Sequence, residues 1–300
     1  MTPPGRRPRH ESLVRYGLRA DCGAATDLPA DVEAALSCAA QAEAPGSNAA
    51  LTLQAMLDNI RLARANRRPL CQDTGALLFW VEAPPGVSPT AFRQAAEAAI
   101  ADATAEGLLR QNCVDTLSGR NTGNNLGAGS PTIHWEECPG ETVTLSLILK
   151  GGGSENVGAQ HSLPDARLDA DRNLDGVRRC VLDAVVEAQG RGCAPGILGV
   201  CIGGDRASGY AESKRLLLRP LGLRSPQSEL AALETRLLNE ANQLGIGPMG
   251  VGGNTTLLDV HVGCLNRLPA SYFVSISYMC WACRRHALEA APDGRLLRWR

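Results

Sequence analysis

Three cysteines of the chain lie where loops meet predicted strands or helices, a common place for reactive side chains. Cys71 precedes the apolar run "ALLFWVEA" and is followed directly by Gln72 and Asp73, Cys193 follows a helical stretch in "GCAPG", and Cys280 closes a strand-like run in "YMCWACRR". Three separated thiolates without a fourth partner suit an iron–sulfur cluster with one open iron. The chain has 11 cysteines, however, and these supply many such triples, so buried core thiols are the more common alternative.

Other reactive sites find less support in the spacing. Cys280, Cys283 and His286 could begin a zinc site, but the nearest fourth ligand, Cys264, lies across a predicted strand. None of the 5 histidines has a local relation to one cysteine that would identify a nucleophile and its base. The glycine-rich stretches "KGGGSEN" and "GVCIGGD" lack the spacing of the Walker and dinucleotide-binding motifs, so phosphate binding is not favoured.

The composition is that of an ordinary soluble globular protein. Hydrophobic residues make up 44%, charged residues 20%, and the formal net charge is -1, so no global field favours nucleic acid or a membrane as partner. The N-terminus has no signal-peptide core, and no run of about 18 apolar residues occurs. We therefore expect a cytoplasmic protein whose cysteines are mostly reduced.

The elements that must position these residues alternate between helices and strands. Apolar periodicity predicts helices at about 29–42, 48–65, 91–107, 174–190 and 228–245, and a further helix that carries Lys214. Strands are predicted in "ALLFWVEA", "TIHWEE", "TVTLSLILK", "GILGVCIGG", "TTLLDVHVGCL" and "ASYFVSISYMC". The pattern predicts a mixed α/β fold in one compact, two-lobed domain over 21–290, after a disordered segment at 1–20 and before a tail at 291–300.

Six motifs occur in an order that is specific to one family. They are "CQDTG" at 71–75, "NTG" at 121–123, "KGGGSEN" at 150–156, "LLLRPLG" at 216–222, "LGIGPMGVGGNTT" at 244–256 and "CWACRR" at 280–285. Together they resemble the α subunit of the class I, iron–sulfur fumarate hydratase and L(+)-tartrate dehydratase family. The resemblance extends from about residue 45 to 286.

The resemblance implies a hydro-lyase that adds water to, or removes it from, a C4 dicarboxylate. Cys71, Cys193 and Cys280 match the three ligands of the family's [4Fe-4S] cluster, whose fourth iron has no protein ligand and acts as a Lewis acid on the substrate.

Substrate-contacting residues follow from the same resemblance. Gln72 and Asp73 match the pair after the first ligand, with Asp73 in the catalytic role, and Arg110 matches an arginine that holds a substrate carboxylate. The glycines would bring the backbone close to the substrate: Gly151, Gly152 and Gly153.

Structural alternatives exist for several of these residues. Asp73 could cap a turn, and Arg110 and Arg120 could be solvated partners of helix ends; Arg120 does not align with the family's arginine. Lys214 reads as a structural or surface residue, and Cys283 as a neighbour of the cluster.

Departures from the family pattern leave the substrate open. Leu268 stands where the family has a substrate-contacting histidine, which motivates a second hypothesis, a non-catalytic or regulatory cluster-binding homologue. "CAPG" replaces Cys-Pro-Pro. The interval from Gly123 to Pro131 and "CWA" resemble the tartrate dehydratase branch, whereas "GGGSEN" resembles the fumarase branch.

In single-chain members of the family a second domain follows and supplies further substrate contacts and a proton-transferring group. The resemblance therefore implies a separate β subunit, in an α2β2 assembly, that completes the catalytic site.

Overall fold

The computed structural model describes residues 23–292 and 294–299, so the predicted disorder at 1–20 lies outside the described residues. The chain divides into two compact units. Among the described residues, the first comprises 23–29, Asn59–Lys150, 284–292 and 294–299, and the second Ala30–Asp58 and Gly151–Cys283. Helices occur together with two mixed sheets, which confirms the predicted α/β class.

Seven helices and nine strands occur in the described residues. The strands are β1 Ala76–Ala83, β2 Thr132–Glu137, β3 Val143–Lys150, β4 Ala159–Ser162, β5 Gly196–Gly203, β6 Leu257–Leu265, β7 Phe273–Met279, β8 Arg284–Ala290 and β9 Leu296–Trp299. The helices are α1 Ala30–Ala42, α2 Asn48–Asn66, α3 Pro89–Ala105, α4 Gly152–Asn156, α5 Leu174–Ala188, α6 Arg206–Arg215 and α7 Ser228–Gln243. Short 3₁₀ turns occupy Gln189–Gly192, Leu216–Leu218 and Pro248–Gly250.

The first unit is built on a five-stranded sheet in the order β2-β1-β3-β8-β9, with β1 and β2 parallel and the other pairs antiparallel. Alternate residues of a strand point to one face, so β1 buries Leu77, Phe79 and Val81 on the side that packs on α3. The Phe79 and Phe92 rings meet edge to face, with centroids 6.1 Å apart. Segment 291–300, expected to be a tail, contains the edge strand β9.

The second unit is built on a four-stranded sheet in the order β4-β7-β5-β6, with only β5 and β6 parallel. Strand β5 is buried at every position, as its uninterrupted apolar run predicts. Gly199 explains how α6 packs so closely on this strand, because a Cβ there would lie 1.9 Å from the Ser213 carbonyl oxygen. At the start of α6, the Asp205 carboxylate accepts hydrogen bonds from the Ala207 and Ser208 amides.

Two buried carboxylates organise the "LLLRPLG" segment of the second unit. Glu234 is 0% exposed and pairs with Arg219, and Asp259 is 1% exposed and pairs with Arg224. Asp259 also accepts from the Gly222 amide at 2.7 Å and lies 3.3 Å from His261 Nε2. Buried charges of this kind are tolerated only when they are paired and hydrogen-bonded, so the motif has a structural basis.

Membrane insertion finds no support in the helices. Within the described part of the chain, every helix is too short or too polar to cross a lipid bilayer.

Candidate active site

The "CQDTG" segment forms a tight turn in the first unit, immediately before β1. The Asp73 amide donates to Cys71 Sγ at 3.4 Å, and Asp73 Oδ1 accepts from the Gly75 amide at 2.8 Å. Gly75 has φ +83°, a conformation that favours glycine. The turn-capping alternative for Asp73 is therefore present in the structure, and it fixes the direction of the carboxylate.

The turn is joined by hydrogen bonds to the segment that carries Arg110. The Thr74 hydroxyl donates to the Arg110 carbonyl oxygen at 2.7 Å. Asn112 bonds the turn twice, since its Nδ2 donates to Asp73 Oδ1 at 2.6 Å and its Oδ1 accepts from the Thr74 amide at 3.2 Å. Four predicted residues are thereby brought together in one unit: Cys71, Gln72, Asp73 and Arg110.

A buried asparagine supports this arrangement from behind. Asn125 is 2% exposed and has φ +61°. Its Oδ1 accepts from the Asn112 and Cys113 amides at 3.0 and 3.2 Å, and its Nδ2 donates to the Arg110 carbonyl oxygen at 2.9 Å and to Thr104 Oγ1 at 3.0 Å. Asn125 thus fixes the backbone that presents the Arg110 side chain.

Sequence reasoning did not identify Asn112 and Asn125. It identified the neighbouring "NTG", and the Asn121 side chain does donate to the Gln111 carbonyl oxygen at 2.9 Å. The asparagine-rich stretch could have indicated such a residue. Asparagine is one of the few residues that tolerate the left-handed conformation, and its side chain can hydrogen-bond to several backbone groups at once.

Arg110 and Gln72 have exposed side chains. Among the described residues, the Arg110 guanidinium has no hydrogen bond or ion pair, whereas its carbonyl oxygen has two donors. Its fork of N–H donors can therefore bind a carboxylate from solution.

In the second unit the structure brings Cys193 and Cys280 together. The Trp281 amide, directly after Cys280, donates to the Cys193 carbonyl oxygen at 3.2 Å. Cys193 has φ 57° and ψ 62°, the left-handed conformation that a non-glycine residue adopts only when the surroundings enforce it. The following residue, Ala194, accepts from the Met249 amide at 2.9 Å, which ties this loop to "GPMG".

The glycine triplet lies at the start of the short helix α4. Gly151 caps it, and a Cβ on Gly153 would meet only the Arg191 carbonyl oxygen, at 3.7 Å. That is an ordinary contact, so packing inside the described protein does not require glycine at position 153. On the same helix, Glu155 forms an ion pair with Lys214, which agrees with a structural role for Lys214.

Three other residues that the sequence analysis considered differ in their exposure to solvent. Leu268 is 74% exposed in the loop before β7, and Arg120 is exposed. Cys283 is buried at 0%.

The chemistry of the thiols fits the iron–sulfur cluster that the resemblance implies. The ten described cysteines form no disulfide among themselves, and the backbone segments that carry two soft ligands, Cys193 and Cys280, are joined by a hydrogen bond. Near them lies the Tyr278 hydroxyl, a buried polar atom with no hydrogen-bond partner among the described residues. Cys71 belongs to the other unit, and the described residues contain no group of three or more His, Cys, Asp or Glu side chains arranged to hold a metal ion.

Known proteins are similar to the chain over most of its length. Residues 19–289 match the family model described as fumarate hydratase (fumerase). The Geobacillus stearothermophilus protein named "Putative fumarate hydratase class I" is 45% identical over 278 residues, which are 91% of this chain and 54% of that protein. The Escherichia coli protein named "L(+)-tartrate dehydratase subunit alpha" is 32% identical over 274 residues, 89% of this chain and 87% of that protein. The chain thus spans about half the length of the Geobacillus relative.

Proposed function

Because the chain belongs to the fumarate hydratase class I and L(+)-tartrate dehydratase α-subunit family of hydro-lyases, we propose that it forms the cluster-holding half of an enzyme that reversibly adds water to, or removes it from, a C4 dicarboxylate. The substrate is fumarate or L-tartrate. In the first case water adds to the double bond to give malate, and in the second its removal gives oxaloacetate.

The observation that carries the proposal is the hydrogen-bonded link between the "CQDTG" turn and Arg110 in the first unit. It presents an arginine that has no acid partner among the described residues, an amide side chain and a carboxylate on one rigid support. A substrate with two carboxylates and a hydroxyl needs such a set, because each group can be bound by a complementary donor or acceptor.

We assign Arg110 to one substrate carboxylate and Gln72 to a second polar contact. Asp73 would orient the substrate hydroxyl or relay a proton. Its Oδ1 is already bonded to Gly75 and Asn112, so the carboxylate is held in a fixed direction during this step. The backbone at Gly151, Gly152 and Gly153 would lie against the substrate.

We assign Cys71, Cys193 and Cys280 as the ligands of a [4Fe-4S] cluster. When bound, such a cluster with one iron that lacks a protein ligand supplies a Lewis acid that makes hydroxide a feasible leaving group near neutral pH. The support for two of the three ligands is the Trp281 to Cys193 hydrogen bond described above.

We further propose that a β subunit completes the site, in an α2β2 assembly. The similarity to a protein named as an α subunit supports this. A cytoplasmic location belongs to the same proposal, since a reducing compartment keeps cysteines in the thiol form.

The proposal is tested by anaerobic purification of the chain with its β subunit. We expect a brown protein with about four irons per α chain that hydrates fumarate or dehydrates L-tartrate. The variants Cys71→Ser, Cys193→Ser and Cys280→Ser should each lose iron and activity, whereas Cys38→Ser, at an exposed position of α1, should retain both. A colourless, iron-free wild type would refute the assignment.

Leu268, which stands where the family has a substrate-contacting histidine, favours one alternative, a cluster-binding chain that catalyses neither reaction. An iron-loaded complex that is inactive on both substrates, and in which Leu268→His restores activity, would support this second function.

A further inference from the structure

The ring of Tyr278 lies at the centre of the Cys193 loop in the second unit. Tyr278 is 2% exposed and stands near the end of β7, two residues before Cys280. Only Met279, the last residue of β7, separates it from Cys280 in the chain.

Two glycines flank Cys193, and both lie directly against this ring. A Cβ on Gly192 would be 2.5 Å from Cε1 of Tyr278, and a Cβ on Gly196 would be 2.2 Å from Cζ and 2.4 Å from the hydroxyl oxygen. These separations are far below van der Waals contact, so only glycine fits at either position. The five residues 192–196 therefore bend around the tyrosine ring, with Cys193 between the two points of contact.

The hydroxyl of Tyr278 is buried and has no hydrogen-bond partner among the described residues. A hydroxyl buried in this way loses its water without compensation, which is unfavourable. Its contacts with the positions of Gly192 and Gly196 place the ring and the hydroxyl against the loop that carries Cys193.

We propose that Tyr278 is a positioning residue for the two cysteine ligands, its ring shaping the Cys193 loop and its hydroxyl donating a hydrogen bond to a sulfur of the bound cluster. This inference rests on the proposed function. A neutral thiol is a weak acceptor, whereas a metal-bound sulfur carries negative charge and accepts strongly. The unpaired hydroxyl is thus unfavourable in the metal-free chain and favourable once the cluster is bound.

The variant Tyr278→Phe separates the two contributions, because it keeps the ring and removes only the hydroxyl. In the metal-free chain the variant should have a thermal midpoint about 2 °C higher than wild type, since an uncompensated buried group is gone. In the cluster-loaded chain the variant should lose its visible absorption and iron to a chelator roughly ten times faster, since a charge-assisted hydrogen bond is missing.

Tyr272→Phe is the matched control. Tyr272 immediately precedes the same strand, at its other end, and its ring packs against the Arg267 guanidinium, 4.7 Å from the ring centroid. Removal of the Tyr272 hydroxyl should leave the rate of cluster loss unchanged.

The outcomes distinguish this inference from the function on which it rests. A wild-type chain that takes up no iron and sulfide overturns both. A wild type that loads normally, together with a Tyr278→Phe variant that releases iron at the wild-type rate, overturns the inference alone. A variant whose metal-free and loaded forms shift in the same direction also overturns it, because the hydroxyl would then have only a structural role.

Discussion

Asn125→Ala tests whether the support behind Arg110 is as important as its hydrogen bonds indicate. The substitution removes four hydrogen bonds, of which two go to the Arg110 carbonyl and Thr104, and two come from the amides of Asn112 and Cys113. A neutral hydrogen bond contributes about 1 kcal/mol. Asn112 is exposed and Cys113 half-buried, so water can partly replace the loss at their amides, which leaves about 2 to 3 kcal/mol.

The backbone adds a second contribution. Asn125 has φ +61°, and alanine in the left-handed region costs roughly 1 kcal/mol. We therefore expect Asn125→Ala to lower the free energy of unfolding by about 3 to 4 kcal/mol and the thermal midpoint by about 6 to 10 °C. Asn125→Gly should be milder than alanine, since glycine adopts this conformation without strain.

The assay is urea unfolding followed by circular dichroism, with Asn124→Ala as the control. Asn124 is an exposed neighbour whose side chain accepts one hydrogen bond, from Leu126, so its loss should cost about 0.5 kcal/mol. In the proposed complex with a β subunit, Asn125→Ala should also raise KM for the proposed dicarboxylate substrate, because Arg110 is less well fixed. An Asn125→Ala chain as stable as Asn124→Ala would refute the reasoning.

Three further predictions concern the buried groups of the two units. Burial opposes ionisation of Asp259, but hydrogen bonds from His261 and the Gly222 amide, with the Arg224 contact, outweigh it and hold its pKa at about 2. The stabilisation is thus present above about pH 4 and lost as the pH falls towards 2. Asp259→Asn, measured by urea unfolding at pH 7, should cost about 3 to 5 kcal/mol, because Arg224 loses the nearer of its two carboxylate partners and keeps only Glu234, at 3.8 Å. Burial lowers the pKa of His286 to about 4, below its unfolded value, so this residue contributes stability above about pH 6.5 that is lost as the pH falls to 4. His286→Gln should flatten that part of the stability profile, and an unchanged profile would contradict the assignment. Gly196→Ala places a Cβ 2.2 Å from the Tyr278 ring and should destabilise the chain by more than about 3 kcal/mol, whereas Gly222→Ala, with open space around it, should cost about 1 to 2 kcal/mol from its positive φ alone. Thermal unfolding of the two glycine variants checks this difference.

Most of the fold could be predicted from local patterns. Strand β5 is apolar throughout and α5 repeats apolar residues with helical spacing, so the type and the buried face of each element follow from its own sequence. Strand β8 was not predicted, because "RRHALEA" buries Arg284 at 1% exposure, and a buried arginine contradicts the usual pattern. Strand β4 has only four residues, too few for a period to emerge.

The candidate site was predictable only in its motifs. The resemblance identified Cys193 and Cys280, but not the Trp281 hydrogen bond that joins their loops, since that contact connects residues 88 positions apart by their numbers. Spacing could not identify Tyr278 either, because a tyrosine in a strand is ordinary and only the two facing glycines reveal its role. Long-range packing of this kind has no signature within a short window of sequence.

The link from Thr74 and Asn125 to the Arg110 carbonyl has a consequence for how ligands bind. Two segments that the proposed dicarboxylate substrate would otherwise have to order are ordered already when the first unit folds. These two segments then lose their conformational entropy during folding and not during association. More of the binding free energy is therefore available for discrimination between substrates. A displacement of Asn125 would also move the Arg110 backbone to which it is hydrogen-bonded, and should therefore alter substrate preference as well as affinity.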